Sequence, residues 1–345
     1  MTYSVTADAV GSLSATGDIV LRVEDLSCVL HTPRGEVRAV DDVSFDLVRG
    51  QTLGIAGESG SGKSLLSRSI MRIAPGSAEV TGRVILNGTD LLKVPSRRLG
   101  AYLGPQIAMV FQDPMTALNP TLPIERQLTE APRRHLGLSA DQARTRALEL
   151  LDVVGIPEPH KRLRQYPHQL SGGMRQRVVI AIALSCDPDV LIADEATTAL
   201  DVTVQRQILD LLQEIQRERR MSVLMVSHDL GVLAGRADRI MVMYGGRVME
   251  TAATADLFRE RRHRYTDALL RAIPRLDTPR HSLLTAIAGS PPDAAARMSG
   301  CRFAPRCEVA QDDCRTERPV EQHVPAEADH RFVCHHPIIV GEGNL

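Results

Sequence analysis

The sequence of 345 residues contains no tryptophan and only five phenylalanines and five tyrosines. Aromatic side chains on which nucleic-acid bases could stack are therefore scarce. The net charge is −1, from 41 basic and 42 acidic residues, so the overall charge attracts neither a nucleic acid nor an anionic lipid. The composition predicts a protein without a nucleic-acid partner.

Long apolar runs are also lacking. The longest, Val178–Leu184, is far short of the roughly 18 residues that indicate a membrane span. Residues 1–18 have neither the basic start nor the apolar centre of a signal peptide, and their small, polar composition predicts a disordered tail. We therefore expect a cytosolic chain that only other subunits could hold at a membrane.

The most informative stretch is GESGSGKS, the phosphate loop, which fits the pattern G-x-x-x-x-G-K-[ST]. A short apolar strand is predicted before it, over Thr52–Ala56, and a helix after it, over Leu65–Ile73. In that context Lys63 would reach the β- and γ-phosphates of a nucleoside triphosphate, and the Ser64 hydroxyl would bind Mg²⁺. The alternative, a glycine-rich turn without a ligand, is disfavoured by the strand and helix around it. The predicted ATP-binding residues of the loop are Gly57, Glu58, Ser59, Gly60, Ser61, Gly62, Lys63 and Ser64.

A second apolar strand, Val190–Ala193, runs directly into Asp194 and Glu195. The carboxyl ends of strands in an open α/β sheet are where ligands bind. Asp194 is suited to hold Mg²⁺ through water, and Glu195 to polarise the water that attacks the γ-phosphate. A strand that simply ends in solvated acids is the alternative, and the phosphate loop in the same chain argues against it.

The chain contains four further short motifs. They are FQDP over residues 111–114, LSGGMRQR over 170–177, TALD over 198–201 and SHD over 227–229. Together with the phosphate loop and the Asp194-Glu195 pair, they resemble the ATP-binding-cassette (ABC) ATPases over roughly Ile19–Arg262.

The resemblance implies roles for particular residues. Gln112 would contact Mg²⁺ and sense membrane subunits, and His228 would contact the γ-phosphate. The implied catalytic residues are Glu195, His228 and Gln112, and the implied Mg²⁺ ligands are Ser64, Gln112 and Asp194. The implied signature residues, which would act on ATP held by a second cassette, are Ser171, Gly172, Gly173, Met174 and Gln176; Asp201 would belong to the D-loop.

Three longer stretches are similar to the oligopeptide and dipeptide importer subunits, namely residues 111–120, 166–177 and 263–275. That branch implies ATP hydrolysis coupled to peptide uptake, at the cytoplasmic face of the membrane. The implied partners are a second ABC ATPase subunit, more often a paralogue than an identical chain, two transmembrane permease subunits and an extracytoplasmic peptide-binding protein. The alternatives are a nickel or other small-solute importer, a cassette of DNA repair or translation, one linked to iron–sulfur assembly, and a regulatory module without transport.

Two positions depart from the family pattern. The aromatic residue that usually stacks on adenine is missing, and Leu30, His31 or Arg34 could cover the base instead. Ala196 stands where a proline commonly follows the catalytic glutamate, a change that removes no reacting group.

The fold predicted from these patterns is an α/β phosphate-loop core with an antiparallel β portion and a helical insertion from about Gln112 to Leu170. The predicted domains are a tail over 1–18, an ABC nucleotide-binding domain over 19–262 and a small, irregular, cysteine-containing C-terminal domain over 263–345.

Four of the six cysteines lie in that C-terminal region, namely Cys301, Cys307, Cys314 and Cys334. Cys28 and Cys186 lie in apolar contexts typical of core residues. A cytosolic chain disfavours disulfides. Zinc sites favour C-x₂₋₄-C loops, which are missing here, whereas Cys₄ ligation is usual for [4Fe–4S]. Some peptide-importer tails hold such a cluster, so we predict one here, with zinc as the alternative.

Overall fold

The computed structural model describes residues 18–33, 35–195, 201–273, 286–292, 298–324 and 327–339. The predicted tail over residues 1–17, the adenine candidate Arg34, Ala196 and the first three residues of the TALD motif lie outside the described residues.

Strands are distributed along the whole described chain. They are β1 (Ile19–Thr32), β2 (Gly35–Val48), β3 (Thr52–Ala56), β4 (Ala78–Leu86), β5 (Thr89–Asp90), β6 (Ile107–Val110), β7 (Val190–Asp194), β8 (Ser222–Val226), β9 (Arg239–Tyr244), β10 (Arg247–Ala253), β11 (Gln322–Val324) and β12 (Glu327–Phe332).

Helices lie mainly between the phosphate loop and β9. They are α1 (Lys63–Ile70), α2 (Ser96–Leu99), α3 (Pro114–Ala117), α4 (Ile124–His135), α5 (Ala140–Val153), α6 (Pro159–Arg162), α7 (Gly172–Ala183), α8 (Val202–Arg219), α9 (Leu230–Ala234), α10 (Thr254–Glu260), α11 (Arg264–Arg271) and α12 (Asp312–Thr316). Among these described helices, none combines the length and the apolar character needed to cross a membrane.

Two sheets form the framework. The smaller one is antiparallel, with strand order β2-β1-β4-β5, and the larger one has the order β11-β12-β10-β9-β3-β8-β7-β6. The strands from β9 to β6 in that larger order run parallel, so their carboxyl ends meet at one edge. The phosphate loop follows β3, and Asp194 and Glu195 lie at the end of β7, as predicted.

The parallel strands are buried on both faces. In β7, Val190 and Ile192 contribute to the core shared with the antiparallel sheet, whereas Leu191 and Ala193 contribute to the core shared with the helices. This alternation follows from the two-residue period of a strand. Both faces are covered, because α1 and the antiparallel sheet lie on one side and other helices on the opposite side, as expected of a parallel sheet.

Element bounds differ from the prediction at several places. The strands predicted over Ile19–Leu26 and Val43–Leu47 are the inner halves of the longer β1 and β2, which pair to their ends across Thr32 and Gly35. The outer half of β1 is mostly half-buried, and that of β2 is partly exposed, so neither has a continuous buried face.

The helix predicted over Leu65–Ile73 begins at Lys63 and ends at Ile70. Arg72 adopts a left-handed conformation with φ 55°. Its N–H donates to the Ser69 carbonyl, and the Ile73 N–H donates to the Arg68 carbonyl. These are the two hydrogen bonds of a Schellman motif, which ends the helix three residues earlier than predicted.

The predicted helical insertion is present as α3 to α6, and a capping box of Ser139 and Gln142 begins α5. The C-terminal region is less separate than predicted. β12 pairs with β10 and so extends the larger sheet, and Tyr265 and Phe303 lie in the main core. A small apolar cluster of its own contains Val324, Phe332 and Cys334. The boundary at residue 262 stays a prediction.

Candidate active site

The phosphate loop needs glycine at two close approaches. Gly57 has φ +148°, and a Cβ there would lie 2.2 Å from the Met243 carbonyl oxygen. Gly62 has φ +100°, and a Cβ there would lie 2.2 Å from the Ala39 carbonyl oxygen. The loop is therefore wedged between the end of β9 and β2, and only glycine fits both positions.

Lys63 is 4% exposed and is bound to its own loop. Its ammonium donates to the carbonyl oxygens of Gly57 at 2.7 Å and Glu58 at 2.9 Å. Burial lowers its pKa, and the carboxylates of Glu195 and Asp194 oppose that shift. A buried ammonium held by two carbonyls is positioned for an anion that would replace those partners.

Ser64 and Asp194 lie together at the start of α1 and the end of β7. The Ser64 hydroxyl donates to Asp194 Oδ1 at 2.9 Å. Asp194 is 2% exposed, and burial raises its pKa while the Ser64 hydrogen bond opposes the rise. A hydroxyl and a carboxylate are hard oxygen donors, which is the chemistry that Mg²⁺ requires.

Glu195 brings together two other predicted residues. Gln112 Nε2 donates to Glu195 Oε2 at 2.9 Å, and His228 Nδ1 lies 3.5 Å from the same oxygen. The turn that presents His228 is closed by the Ser227 hydroxyl, which accepts from the Asp229 N–H at 3.0 Å. The three predicted catalytic residues therefore converge at one edge of the sheet.

The signature segment, Leu170–Arg177, begins α7. Ser171 is the N-cap and accepts from the Met174 N–H at 3.3 Å, and both Ser171 and Gly172 are exposed. Gly173 packs closely on α8, where a Cβ would lie 2.9 Å from Val204. Asp201 caps α8 beside it, accepting from the N–H groups of Thr203 and Val204.

Gln176 differs from Ser171 and Gly172 in its burial. It is fully buried, and neither its amide nitrogen nor its oxygen has a hydrogen-bond partner. It lies on α7 among buried residues that include Val179 and Ile180, whereas Ser171 and Gly172 are exposed. Its contact with ATP on a second cassette stays a prediction.

The adenine candidates give no clear platform. Leu30 is half-buried, and His31 is exposed, with Nε2 3.4 Å from Glu79 Oε2. Nothing in these contacts selects one residue over the other as the cover for a base.

Two contacts to the phosphate loop were missed by sequence reasoning. The Glu58 backbone N–H donates to the Tyr265 hydroxyl at 2.9 Å, and Arg306 binds the Glu58 carboxylate through both terminal nitrogens at 2.6 and 3.0 Å. No local sequence pattern predicts either contact, because the partners lie 207 and 248 residues away from Glu58 along the chain.

The four C-terminal cysteines line one cavity, and His263, Phe303, His335 and His336 line it with them. Burial raises the pKa of Cys301, and backbone hydrogen bonds from Phe303 and Ala304 oppose the rise. Burial also raises the pKa of Cys334 to about 11. The structure therefore brings together the cysteines that the sequence singled out.

Two family profiles match this chain. The profile described as "ABC transporter" matches residues 40–198, and the profile described as "Oligopeptide/dipeptide transporter, C-terminal region" matches residues 249–314. The first covers the phosphate loop, the Asp194-Glu195 pair and the signature segment. The second covers three of the four C-terminal cysteines.

Curated proteins of high similarity include two peptide-transport subunits. The dipeptide transport ATP-binding protein DppD of Bacillus subtilis is 52% identical over 84% of this chain and 86% of its own length. The oligopeptide transport ATP-binding protein OppD of Salmonella typhimurium is 46% identical over 89% of this chain and 92% of its own length.

Solved structures with the same core include two cassettes. The dimeric ABC transporter cassette MJ0796 has a TM-score of 0.61 and 27% identity, covering 68% of this chain and 98% of that one. CbiO1 of Clostridium perfringens, part of an ABC transporter complex, has a TM-score of 0.60 and 28% identity, covering 70% of this chain and 92% of that one.

Proposed function

Because the chain belongs to the ABC transporter ATPases, in their oligopeptide and dipeptide branch, we propose that it hydrolyses ATP to drive peptide import across the cytoplasmic membrane. The observation that carries the proposal is the convergence at one sheet edge of Ser64 with Asp194, and of Gln112 and His228 with Glu195. The match of residues 249–314 to the peptide-transporter C-terminal region supports the substrate class over nickel or another small solute.

Different residues of the site would bind the phosphates, bind Mg²⁺ and accept a proton during hydrolysis. The phosphate loop and Lys63 bind the phosphates, and Ser64 and Asp194 fit Mg²⁺, which would neutralise charge on the transferred phosphoryl group. Gln112 and His228 hold the Glu195 carboxylate, which would accept a proton from the attacking water. Lys63 and Asp194 are buried, so their charges would interact more strongly with the phosphates and Mg²⁺ than they would in water.

In the proposed importer this chain would assemble with four other subunits. Ser171 and Gly172 are exposed at the N-terminus of α7, where small residues and unpaired N–H groups suit a phosphate supplied from outside the chain. A second cassette would bring that phosphate, as the dimeric form of MJ0796 suggests by analogy. Two permease subunits and an extracytoplasmic peptide-binding protein complete the importer, so the chain would lie peripherally on the cytoplasmic face.

The C-terminal cysteines extend the proposal to a [4Fe–4S] cluster, which would supply four bonds that tie the tail together. The structure offers a direct test of fit. His263 is 1% exposed and lines the cysteine cavity, and its Nε2 makes no hydrogen bond of normal geometry. Its Nδ1 accepts from the Tyr265 N–H, so Nε2 carries the proton. Burial lowers the pKa of His263 to about 4, and an interaction with the Val333 backbone opposes that shift. A buried N–H without a well-formed hydrogen bond would suit a sulfur acceptor in the cavity.

Zinc fits this arrangement less well. Tetrahedral thiolates on zinc, with Zn–S bonds of about 2.3 Å, lie roughly 3.8 Å apart. Among the described residues, the only group of three or more ligand atoms within 4.8 Å of one another is that of Asp313, Cys314 and His336. No three of the four cysteines meet that distance, so their separation favours a group larger than one ion.

The deciding experiment reconstitutes the complex of this chain with its permeases, second cassette and binding protein in proteoliposomes. We expect ATP-dependent uptake of short peptides that ceases with Glu195→Gln. The control, Asp210→Asn, removes a carboxylate from an exposed ion pair with Arg236 and should transport normally. ATP-dependent uptake of nickel without peptide uptake would contradict the proposed substrate.

A further inference from the structure

We infer that Arg306 is a positioning residue of the ATP site, through which the cysteine-flanked strap, Cys301–Cys307, holds the phosphate loop. The inference depends on one part of the proposed function, which is that the phosphate loop binds ATP. It assigns a role in nucleotide binding to a residue outside the cassette core.

Arg306 is bound more completely than an ordinary surface arginine. Nη1 donates to Glu58 Oε2 at 2.6 Å and to the Tyr244 hydroxyl at 3.2 Å. Nη2 donates to Glu58 Oε1 at 3.0 Å and to the Ile287 carbonyl at 3.1 Å. Nε donates to the Ala288 carbonyl at 2.8 Å. All five N–H groups of the guanidinium therefore have an acceptor.

Burial makes this pair different from a surface ion pair. The Arg306 side chain is 4% exposed and the Glu58 side chain 26%. The fork of two parallel hydrogen bonds fixes the direction of the carboxylate as well as its charge. Glu58 is thus held in one orientation at the second position of the phosphate loop.

Glu58 is held at its backbone as well. Its N–H donates to the Tyr265 hydroxyl, and the Tyr265 ring packs on Phe303 of the strap with centroids 5.2 Å apart. Phe303 also packs edge-on against Tyr244, at 5.4 Å. The strap therefore sits on the same aromatic cluster that supports the first turn of the loop.

A second anchor lies at the other end of the strap. Arg302 donates to the Gly245 carbonyl and to Asp41. The N–H of the next residue, Gly246, donates to the Ser61 carbonyl in the phosphate loop at 2.9 Å. The strap thus contacts the loop directly at Glu58 and supports it at Ser61 through the β9–β10 turn.

This geometry has an electrostatic consequence for the bound nucleotide. The Glu58 carboxylate belongs to a loop whose ligand is strongly anionic, and Arg306 is its partner. Without Arg306 the carboxylate would be left partly buried and unpaired, and it would repel the phosphates. Removing that carboxylate as well should therefore restore much of the lost affinity.

The experiment measures ATP affinity of the full chain by fluorescence titration with a labelled nucleotide. Arg306→Met should weaken binding about tenfold. Glu58→Gln alone removes the same fork without leaving a charge, so it should weaken binding by less than Arg306→Met, and the double variant should bind like Glu58→Gln rather than like Arg306→Met. The control is Arg318→Met, which removes another tail arginine, paired with Asp42 at 3.0 Å away from the phosphate loop, and should bind as wild type.

A scaffolding role for Arg306 makes a different prediction. It would lower the melting temperature but leave affinity unchanged in the folded fraction, and Glu58→Gln would rescue nothing. Wild-type affinity in Arg306→Met, or no recovery in the double variant, would overturn the inference. In the assembled complex the expected signature is a raised KM for ATP with kcat little changed.

Arg306→Lys covers the case in which the methionine variant does not fold. Lysine keeps the charge but cannot bind both carboxylate oxygens, so amide hydrogen exchange over residues 57–64 should be faster than in wild type. Unchanged exchange would overturn the inference. If the wild-type chain itself bound no ATP, the proposed function would fail instead, so the two failures are distinguishable.

Discussion

Glu195, the proposed base, has a backbone conformation that few glutamates adopt. Its φ is 46°, and its N–H donates to the Val226 carbonyl at 3.1 Å, which turns the carboxylate toward Gln112 and His228 at the end of β7. Strain of this kind is typical of functional sites. The carboxylate is thereby held against Gln112, one of the residues predicted to bind Mg²⁺.

We expect Glu195→Gln to leave ATP binding intact and to lower turnover of the assembled complex by roughly 10²–10⁴-fold, because the amide cannot accept the proton of water. Lys63→Ala should instead weaken binding, since it removes a ligand of the phosphates. Equilibrium binding and steady-state hydrolysis separate the two effects. Normal hydrolysis by assembled Glu195→Gln would show that another group is the base.

Two glycines of the phosphate loop give a matched pair of substitutions. A Cβ on Gly57 meets the Met243 carbonyl at 2.2 Å, whereas a Cβ on Gly60, at φ +80°, meets nothing within 4 Å. Gly60→Ala should therefore cost only about 1–2 kcal/mol of left-handed strain. Gly57→Ala should cost more and should lose ATP binding, because backbone must move. Equal unfolding free energies for the two variants would contradict this account of the loop.

Site residues could be predicted from the sequence where they belong to short, contiguous motifs. The phosphate loop, Asp194 with Glu195, and the SHD motif each combine a strand end with polar side chains, and the structure places them together. The burial of Gln176 was not foreseen, because it belongs to a motif whose first residues are exposed while helical periodicity turns its side chain inward. Arg306 could not be found because its partner lies 248 residues away and no pattern links them.

At the scale of elements, helices of the predicted insertion carry local sequence signals. In α5 the apolar residues Ala143, Ala147, Leu150 and Leu151 recur at helical spacing and are all buried, and a capping box begins the helix. By contrast, β11 and β12 were missed because they are short and lie in a proline-rich region without alternation. Their pairing with β10 is a tertiary effect that local propensity does not encode.

This pairing predicts that the cassette is not independent of the tail. A chain ended at Ile273 would leave β10 as an unpaired edge and remove Phe303 from the main core. We expect its melting temperature to fall by more than about 5 °C relative to the full chain. The control is a chain ended at Ile339, which keeps both features. An unchanged melting temperature in the shorter chain would support the predicted domain boundary.

At the scale of the whole molecule, Ser171 and Gly172 are exposed at the N-terminus of α7 rather than enclosed in a site of their own. Each ATP site would therefore be completed by another cassette. We expect the isolated chain to hydrolyse ATP slowly, with a specific activity that rises with protein concentration. Ser171→Arg should abolish that rise while leaving ATP binding unchanged. Rapid, concentration-independent hydrolysis by a demonstrated monomer would contradict the shared site.

The cysteine cavity joins the tail to this catalytic unit, since Cys301 and Cys307 flank the arginine that binds Glu58. Protein purified without oxygen should be brown and carry about four iron and four labile sulfides per chain.

Cys301→Ser should lose the iron, whereas Cys186→Ser, which changes a buried thiol outside the cavity, should retain it. His263→Leu should keep four irons but shift the reduction potential, because it removes a buried N–H group from the lining of the cysteine cavity. Colourless protein with one zinc per chain would overturn the cluster, and four irons in Cys301→Ser would show that the ligands lie elsewhere.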